Sequence, residues 1–196
     1  EDALSFSKEK MSNVVLSQSR DGFACYDFAT RSVYFYDKNE KKAKLFSAPS
    51  GITDLNFSLN SSFLLTTDVK DVLGKTKQRL SIYDMRNKRF LPQRMSSVRY
   101  ACFLQDNSIC AVKVRGQYSD LVLLNSSLEE EHKLLSFGPG LQYSHIYNVV
   151  YAGEDEVAFV AANGLYRDVL ILNVKDGNVK KLQLGEGIKA IRYLKS

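Results

Sequence analysis

An apolar run closed by Asp or Asn recurs four times along this chain and constrains its fold more than any other feature. The runs are Val33-Tyr34-Phe35-Tyr36-Asp37, Leu80-Ser81-Ile82-Tyr83-Asp84, Leu121-Val122-Leu123-Leu124-Asn125 and Val169-Leu170-Ile171-Leu172-Asn173. From Asp37 to Asp84 is 47 positions, from Asp84 to Asn125 is 41, and from Asn125 to Asn173 is 48. A period in the forties that holds several short strands is the signature of a β-propeller blade.

Each period divides into four strands, a to d from the axis outward. In the first unit they fall near 13–16, 23–26, 33–36 and 43–46, and the other units repeat the order. The b and c strands are near-continuous apolar runs such as Val157-Ala158-Phe159-Val160, the pattern expected when both faces of a sheet are covered. The d strands are more polar, and Pro92 falls in one of them, where a missing N–H is tolerated on an edge. Asp21-Gly22, Asn60-Ser61, Asp106-Asn107 and Glu154-Asp155 supply turn residues between a and b. The closing Asx of each c strand suits a turn, because its side chain accepts a backbone N–H two residues on. The expectation is an all-β chain of four-stranded antiparallel blades, spanning about 11–51, 52–97, 98–145 and 146–187.

These residues resemble known propellers. Tyr36-Asp37 and Tyr83-Asp84 stand where WD-repeat blades end in Trp-Asp, and Ser19-Arg20-Asp21-Gly22 is similar to the Ser-Pro-Asp-Gly turn of TolB-like blades. Trp is absent and no Gly-His dipeptide opens a unit, so the bacterial TolB-like group, mostly six-bladed, is the nearer resemblance. It implies a bacterial periplasmic or envelope location; the lack of a paired cysteine pattern keeps a cytoplasmic one as the alternative. The flanks Ala3-Leu4-Ser5-Phe6 and 188–196 read as further strands, the second as the start of another blade or a closing strand. Part of a larger ring is therefore expected, with a self-contained small propeller as the rival. A partial ring would leave open blade faces available for self-association.

Composition narrows the classes. With 44% hydrophobic and 25% charged residues, the chain resembles ordinary globular proteins, and no apolar stretch approaches the roughly 18–20 residues of a membrane helix. The formal charge of +5 resides largely in the d strands and the turns before them, at Lys41, Lys42, Lys44, Arg86, Lys88, Arg89, Lys180 and Lys181. Basic side chains there protect an exposed strand edge, so a solvated edge is expected and not a nucleic-acid surface. Cys25, Cys102 and Cys110 have no metal or redox spacing; each sits in an apolar strand pattern as a small buried hydrophobe, with a Cys102–Cys110 cross-strand bridge as the alternative.

Function is less legible. No nucleophile elbow, metal-binding His pair, P-loop or dinucleotide fingerprint is present, so no catalytic residue, metal or cofactor is expected. In a propeller the b–c and d–a connections share one end, where partners usually dock. The b–c connections are expected at 27–32, 68–79, 114–120 and 163–168. Arg31, Lys75, Arg79, Arg115 and Arg167 fall there beside Tyr118 and Tyr166, and His145 lies in the connection that enters the fourth unit. Such an Arg–Tyr rim suits an acidic peptide or anion through bidentate Arg contacts. The competing expectation is that these arginines end strands in ion pairs with Asp68, Asp120 or Asp168. The leading functional reading is a non-enzymatic module that docks a protein or peptide partner. An accessory propeller of a larger enzyme, such as a prolyl-oligopeptidase-type hydrolase, is the alternative.

Overall fold

Every one of the four apolar runs is the third strand of a four-stranded antiparallel sheet. The computed structural model describes residues 16–19, 21–39, 41–72 and 75–182, with side chains for all of these except 16–18, 70–72 and 75–76. The expected strand segments at 3–6, 13–15 and 188–194, and Arg20 of the Ser-Arg-Asp-Gly turn, lie outside the described residues. The first sheet contains β1 (Leu16–Ser19), β2 (Gly22–Asp27), β3 (Ser32–Asp37) and β4 (Lys42–Ser47). The second contains β5 (Ile52–Phe57), β6 (Phe63–Val72), β7 (Lys75–Asp84) and β8 (Arg89–Ser96). The third is β9 (Val98–Phe103), β10 (Ile109–Arg115), β11 (Tyr118–Leu124) and β12 (Glu130–Phe137). The fourth is β13 (His145–Gly153), β14 (Glu156–Asn163), β15 (Tyr166–Asn173) and β16 (Val179–Leu182). Within each sheet the strands follow chain order, and the first strands lie side by side, β1 by β5, β5 by β9 and β9 by β13.

Because strand side chains alternate, consecutive apolar residues serve opposite neighbours. Leu64 packs in the core between the first and second sheets, with Ala24, Tyr26, Val33 and Tyr83. Leu65, next in the chain, packs between the second and third sheets with Leu80, Ile109 and Val122. The same division holds in the third sheet, where Ala111 joins that second core while Cys110 and Val112 join a third core with Val157, Phe159 and Leu172. Fully burying a side chain of this size stabilises by about 1.5–3 kcal/mol, so each interface is a substantial part of the fold. Among the described residues no such cluster joins the fourth sheet to the first. Cys102 and Cys110 face each other across β9 and β10 as free, fully buried thiols, and burial holds both well above the usual thiol range.

The closing Asx side chains work as the sequence led us to expect. Asp37 Oδ1 accepts the amides of Asn39 (2.8 Å) and Lys41 (2.9 Å). Asp84 Oδ1 does the same for Arg86 and Asn87 (both 2.9 Å), Asn125 for Ser127 and Glu129, and Asn173 for Lys175 and Asp176. The next amide in three units, that of Lys38, Met85 or Val174, donates to a carbonyl of the a–b turn, so both turns at this end are tied together. Gly22 is required there for space: a Cβ would lie 1.9 Å from the Tyr36 carbonyl oxygen.

Two irregularities on the outer strands have clear causes. Opposite Ile82, β8 carries extra residues around Pro92, which has no N–H to give to the ladder. In β4 the register slips between Tyr34↔Lys44 and Val33↔Phe46, leaving Leu45 as the bulged residue. The Leu45 carbonyl accepts the hydroxyl of Tyr83 from the next sheet at 3.1 Å, and Tyr83 is packed between Phe46 and Phe90. Tyr83 thus fastens two blades through both its ring and its hydroxyl. Tyr83→Phe is expected to destabilise by about 1 kcal/mol, the net worth of one hydrogen bond. Tyr83→Ala should cost about 3–5 kcal/mol through the cavity it leaves. Urea denaturation of the three proteins checks both values.

Candidate functional site

Antiparallel order sends every b–c and d–a connection to one end of the array. All eight sequence-selected residues belong to that end, but they do not converge on one pocket. Arg31 sits in the four-residue connection between β2 and β3 with φ 50°, and its carbonyl accepts the Ala48 amide at 2.8 Å, tying the b–c loop to the d–a connection. Lys75 opens β7, and its side chain is outside the described residues.

The connection expected at 68–79 is not a loop. Asp68 to Val72 pairs in register with Lys75 to Arg79, so β6 and β7 form a hairpin longer than its counterparts. Its loop-like composition hid a backbone ladder, with Asp68 and Arg79 paired side chain to side chain across its base. The connections expected at 114–120 and 163–168 also shrink, to the two-residue turns Gly116-Gln117 and Gly164-Leu165. Both glycines have positive φ, 64° and 58°, as tight hairpin turns require.

Two of the arginines are neutralised where they stand. Arg79 grips Asp68 with its Nε and Nη2 fork, Nε to Oδ1 being 3.1 Å. Arg115 lies 3.2 Å from Asp120 and 3.0 Å from Glu130, which also receives Lys113. Asp168 differs from expectation: it is taken by Lys181 (2.9 Å) and the Tyr143 hydroxyl (2.7 Å), not by Arg167. These partners lie on β16 and in the d–a connection, and only the fold brings them together. Lys181 first, then Tyr143, holds the Asp168 carboxyl below its usual range, while burial and the bond to Asp168 push the Tyr143 phenol up to about 12.

Arg167 instead lies over the Tyr147 ring (5.8 Å to its centroid), and His145 stacks on the other reach of that ring at 6.2 Å and 14°. Ser144 Oγ lies 2.8 Å from His145 Nδ1. Register places His145 opposite Ala162 and Ala162 opposite Arg167, so two residues chosen separately form one group through a tyrosine that sequence reasoning missed. His145 is the first residue of β13, not a loop residue.

The tips are apolar. Leu165 is 98% exposed and Tyr166 82%, both at the β14–β15 hairpin. Phe28, Tyr118 and Leu141 are also exposed, each in or beside a b–c or d–a connection. Only Val179 and Leu182, on the outer strand β16, are exposed large hydrophobics elsewhere among the described residues. Phe28, Leu141 and Leu165 were missed because a lone apolar residue between turn residues has no periodicity to mark it. Tyr118 lies against the Gly138 backbone, where an added Cβ would come within 2.2 Å of its ring.

Between the first and second blades a cleft of about 250 Å³ opens at this same end, with Phe46, Ser47, Pro49, Thr66, Arg79 and Arg94 among its walls.

Comparison with known proteins places this geometry. No family model matches the chain. An uncharacterised protein of Treponema pallidum (strain Nichols) is 32% identical over 182 residues, which is 92% of this chain and 18% of that protein. The chain therefore spans less than a fifth of the length of this curated relative. Among solved structures, TolB from Acinetobacter baumannii superimposes with a TM-score of 0.67 at 15% identity, covering 86% of this chain and 42% of TolB. A chain of the nidogen/laminin complex matches with a TM-score of 0.62 at 12% identity, over 89% of this chain and 65% of its own length. The class is thus plain: the four sheets are blades of a β-propeller fold, as in TolB. At these identities the likeness is one of fold.

Two measurements probe the end just described. In a carboxyl NMR titration, Lys181→Ala should raise the Asp168 pKa toward the ordinary Asp range, and Tyr143→Phe should raise it by less. A depressed carboxyl contributes stability above the unfolded Asp range that is lost as pH falls through the folded value, so both variants should lose less stability across that acid window than the parent. Gly138→Ala should shift the Tyr118 ring resonances and lower stability in a urea titration, since both the ring and the φ of 158° oppose an added Cβ.

Proposed function

We propose that this chain is a non-enzymatic β-propeller module that docks a protein or peptide partner on the end formed by its b–c and d–a connections. The observation that carries this reading is the concentration of exposed large apolar side chains at that end: Phe28, Tyr118, Leu141, Leu165 and Tyr166. The opposite end, by contrast, is closed by Asx turns whose polar groups are satisfied within the chain. Exposed apolar tips flanked by arginine are the composition of interaction hot spots, and tight hairpin turns hold Leu165 and Tyr166 with little freedom to lose on binding.

Arg167, on the face of Tyr147, adds positive charge to this rim. Arg79 and Arg115 hold their hairpins through Asp68, Asp120 and Glu130. No helix among the described residues is long and apolar enough to cross a membrane. The TolB-like fold and the bacterial relative support a place in the bacterial envelope, which fractionation of cells carrying the tagged protein would test.

A photo-crosslinking residue placed at Tyr166 or Tyr118 should capture the same partner, while one at Asn87, in the turn at the other end, should not. A Leu165→Ser, Tyr166→Ser double variant should weaken that partner about tenfold or more, in line with loss of a central apolar anchor, and leave the β-sheet spectrum unchanged. Equal capture from Asn87 would sink the assignment of this end.

A further inference from the structure

We infer that the cleft between the first and second blades is a receptor for an acidic side chain of a peptide, in which Arg94 and the hydroxyls of Thr66 and Ser81 take the carboxylate and an aromatic floor takes a neighbouring apolar side chain. This deepens the docking role proposed above and rests on it for the choice of a peptide as the occupant.

Arg94, on β8, lays its guanidinium over the Phe90 ring, 4.8 Å from the centroid. Stacking on the face leaves the N–H groups pointing outward in the plane. Nη1 donates to the carbonyls of Leu91 (2.7 Å) and Gln93 (3.3 Å). The Nε and Nη2 edge has no acceptor among the described residues, and Arg94 makes no ion pair there. Arg79, in the same cleft, shows what that edge binds when engaged: its own Nε and Nη2 hold both oxygens of Asp68. One arginine fork is thus filled from within the chain and the second is left for an incoming carboxylate. Burial, and after it the charge of Arg79, works against the Arg94 proton; the Asp68 carboxylate offsets part of this, and an arriving anion would offset more.

The hydroxyls give independent support. Thr66 and Ser81 are cross-strand partners on the face of the second sheet that looks toward the first, and both residues are about 2–3% exposed. Both line the cleft beside Arg94, which pairs with Ser81 across β7 and β8. A hydroxyl on a cleft wall beside a guanidinium is a donor that can be turned toward a ligand's oxygens. Below them lie Phe46 and Phe90, in edge contact at 4.7 Å, which supply an apolar floor. A carboxylate beside an aromatic or aliphatic group is the chemistry that fits all three features.

The test uses the whole chain and two capped dipeptides, N-acetyl-Phe-Glu-amide and N-acetyl-Phe-Gln-amide, titrated while backbone amides are followed by NMR. The Glu probe is expected to shift the amides of Ser47, Thr66, Ser81 and Arg94 and to bind about tenfold tighter than its uncharged isostere, the gain of a charge-assisted pair. Arg94→Gln should abolish that preference. Thr66→Val should weaken the Glu probe several-fold while leaving the β-sheet spectrum unchanged, since it exchanges the hydroxyl for a methyl of similar size. Equal affinity for the two probes, a preference that survives Arg94→Gln, or shifts confined to other blades would overturn the inference. Tyr166→Ser and Leu165→Ser, on the fourth blade, should leave this titration unchanged. A failure of the cleft and a failure of the exposed tips are therefore read from separate experiments.

Discussion

The structure depends on one constraint: the second and third sheets are apolar on both faces, and the neighbouring sheets cover them. Leu64 and Leu65 express this in two adjacent residues, one buried against the first blade and one against the third. A sheet with a wet face would show alternation and could stand at the surface of a sandwich. These sheets must stack in series, and their first strands, β1, β5, β9 and β13, lie side by side along one edge of the stack. Edge protection follows from the same geometry. The fourth strand of each sheet is pushed farthest out, and Lys42, Lys44, Lys180 and Lys181 stand exposed on β4 and β16, where another strand would otherwise pair.

How much of this could be read beforehand follows from the range of each interaction. The Asx turns were legible because donor and acceptor lie two to four residues apart, so the motif carries its own partner. The sheets were legible because apolar runs announce burial on two faces. The β6–β7 hairpin was not, since Asp68 to Arg79 has the composition of a loop and its pairing is made by backbone groups that every residue possesses. At the candidate site the failures are of long range. Asp168 meets Lys181 from β16, and His145 meets Arg167 through Tyr147. Arg94 had no motif at all; its meaning comes from Phe90 beneath it and from Asp68 having been claimed by Arg79.

The two ends of the blades divide the labour. At the Asx end, side-chain oxygens and turn carbonyls close on amides of the same chain, which leaves few groups to offer elsewhere. At the other end the polar pairs Arg79–Asp68 and Arg115–Asp120 stiffen hairpins, and exposed apolar side chains such as Leu165 and Tyr166 stand on the same end. A rigid base carrying exposed tips is a division common to binding scaffolds, and it lets recognition change while the stack is untouched.

The long β6–β7 hairpin carries this separation furthest. Of the hairpin side chains that are described, those of Asp68, Val69, Lys77, Gln78 and Arg79 belong to none of the three packed cores, yet the ladder is continuous with strands that do. Lengthening a turn costs little, since closure entropy grows only with the logarithm of its length. The hairpin is therefore a graft point: evolution or an engineer can extend it, shorten it or insert a foreign segment without altering how the blades stack. Among related chains, differences in length should gather there first.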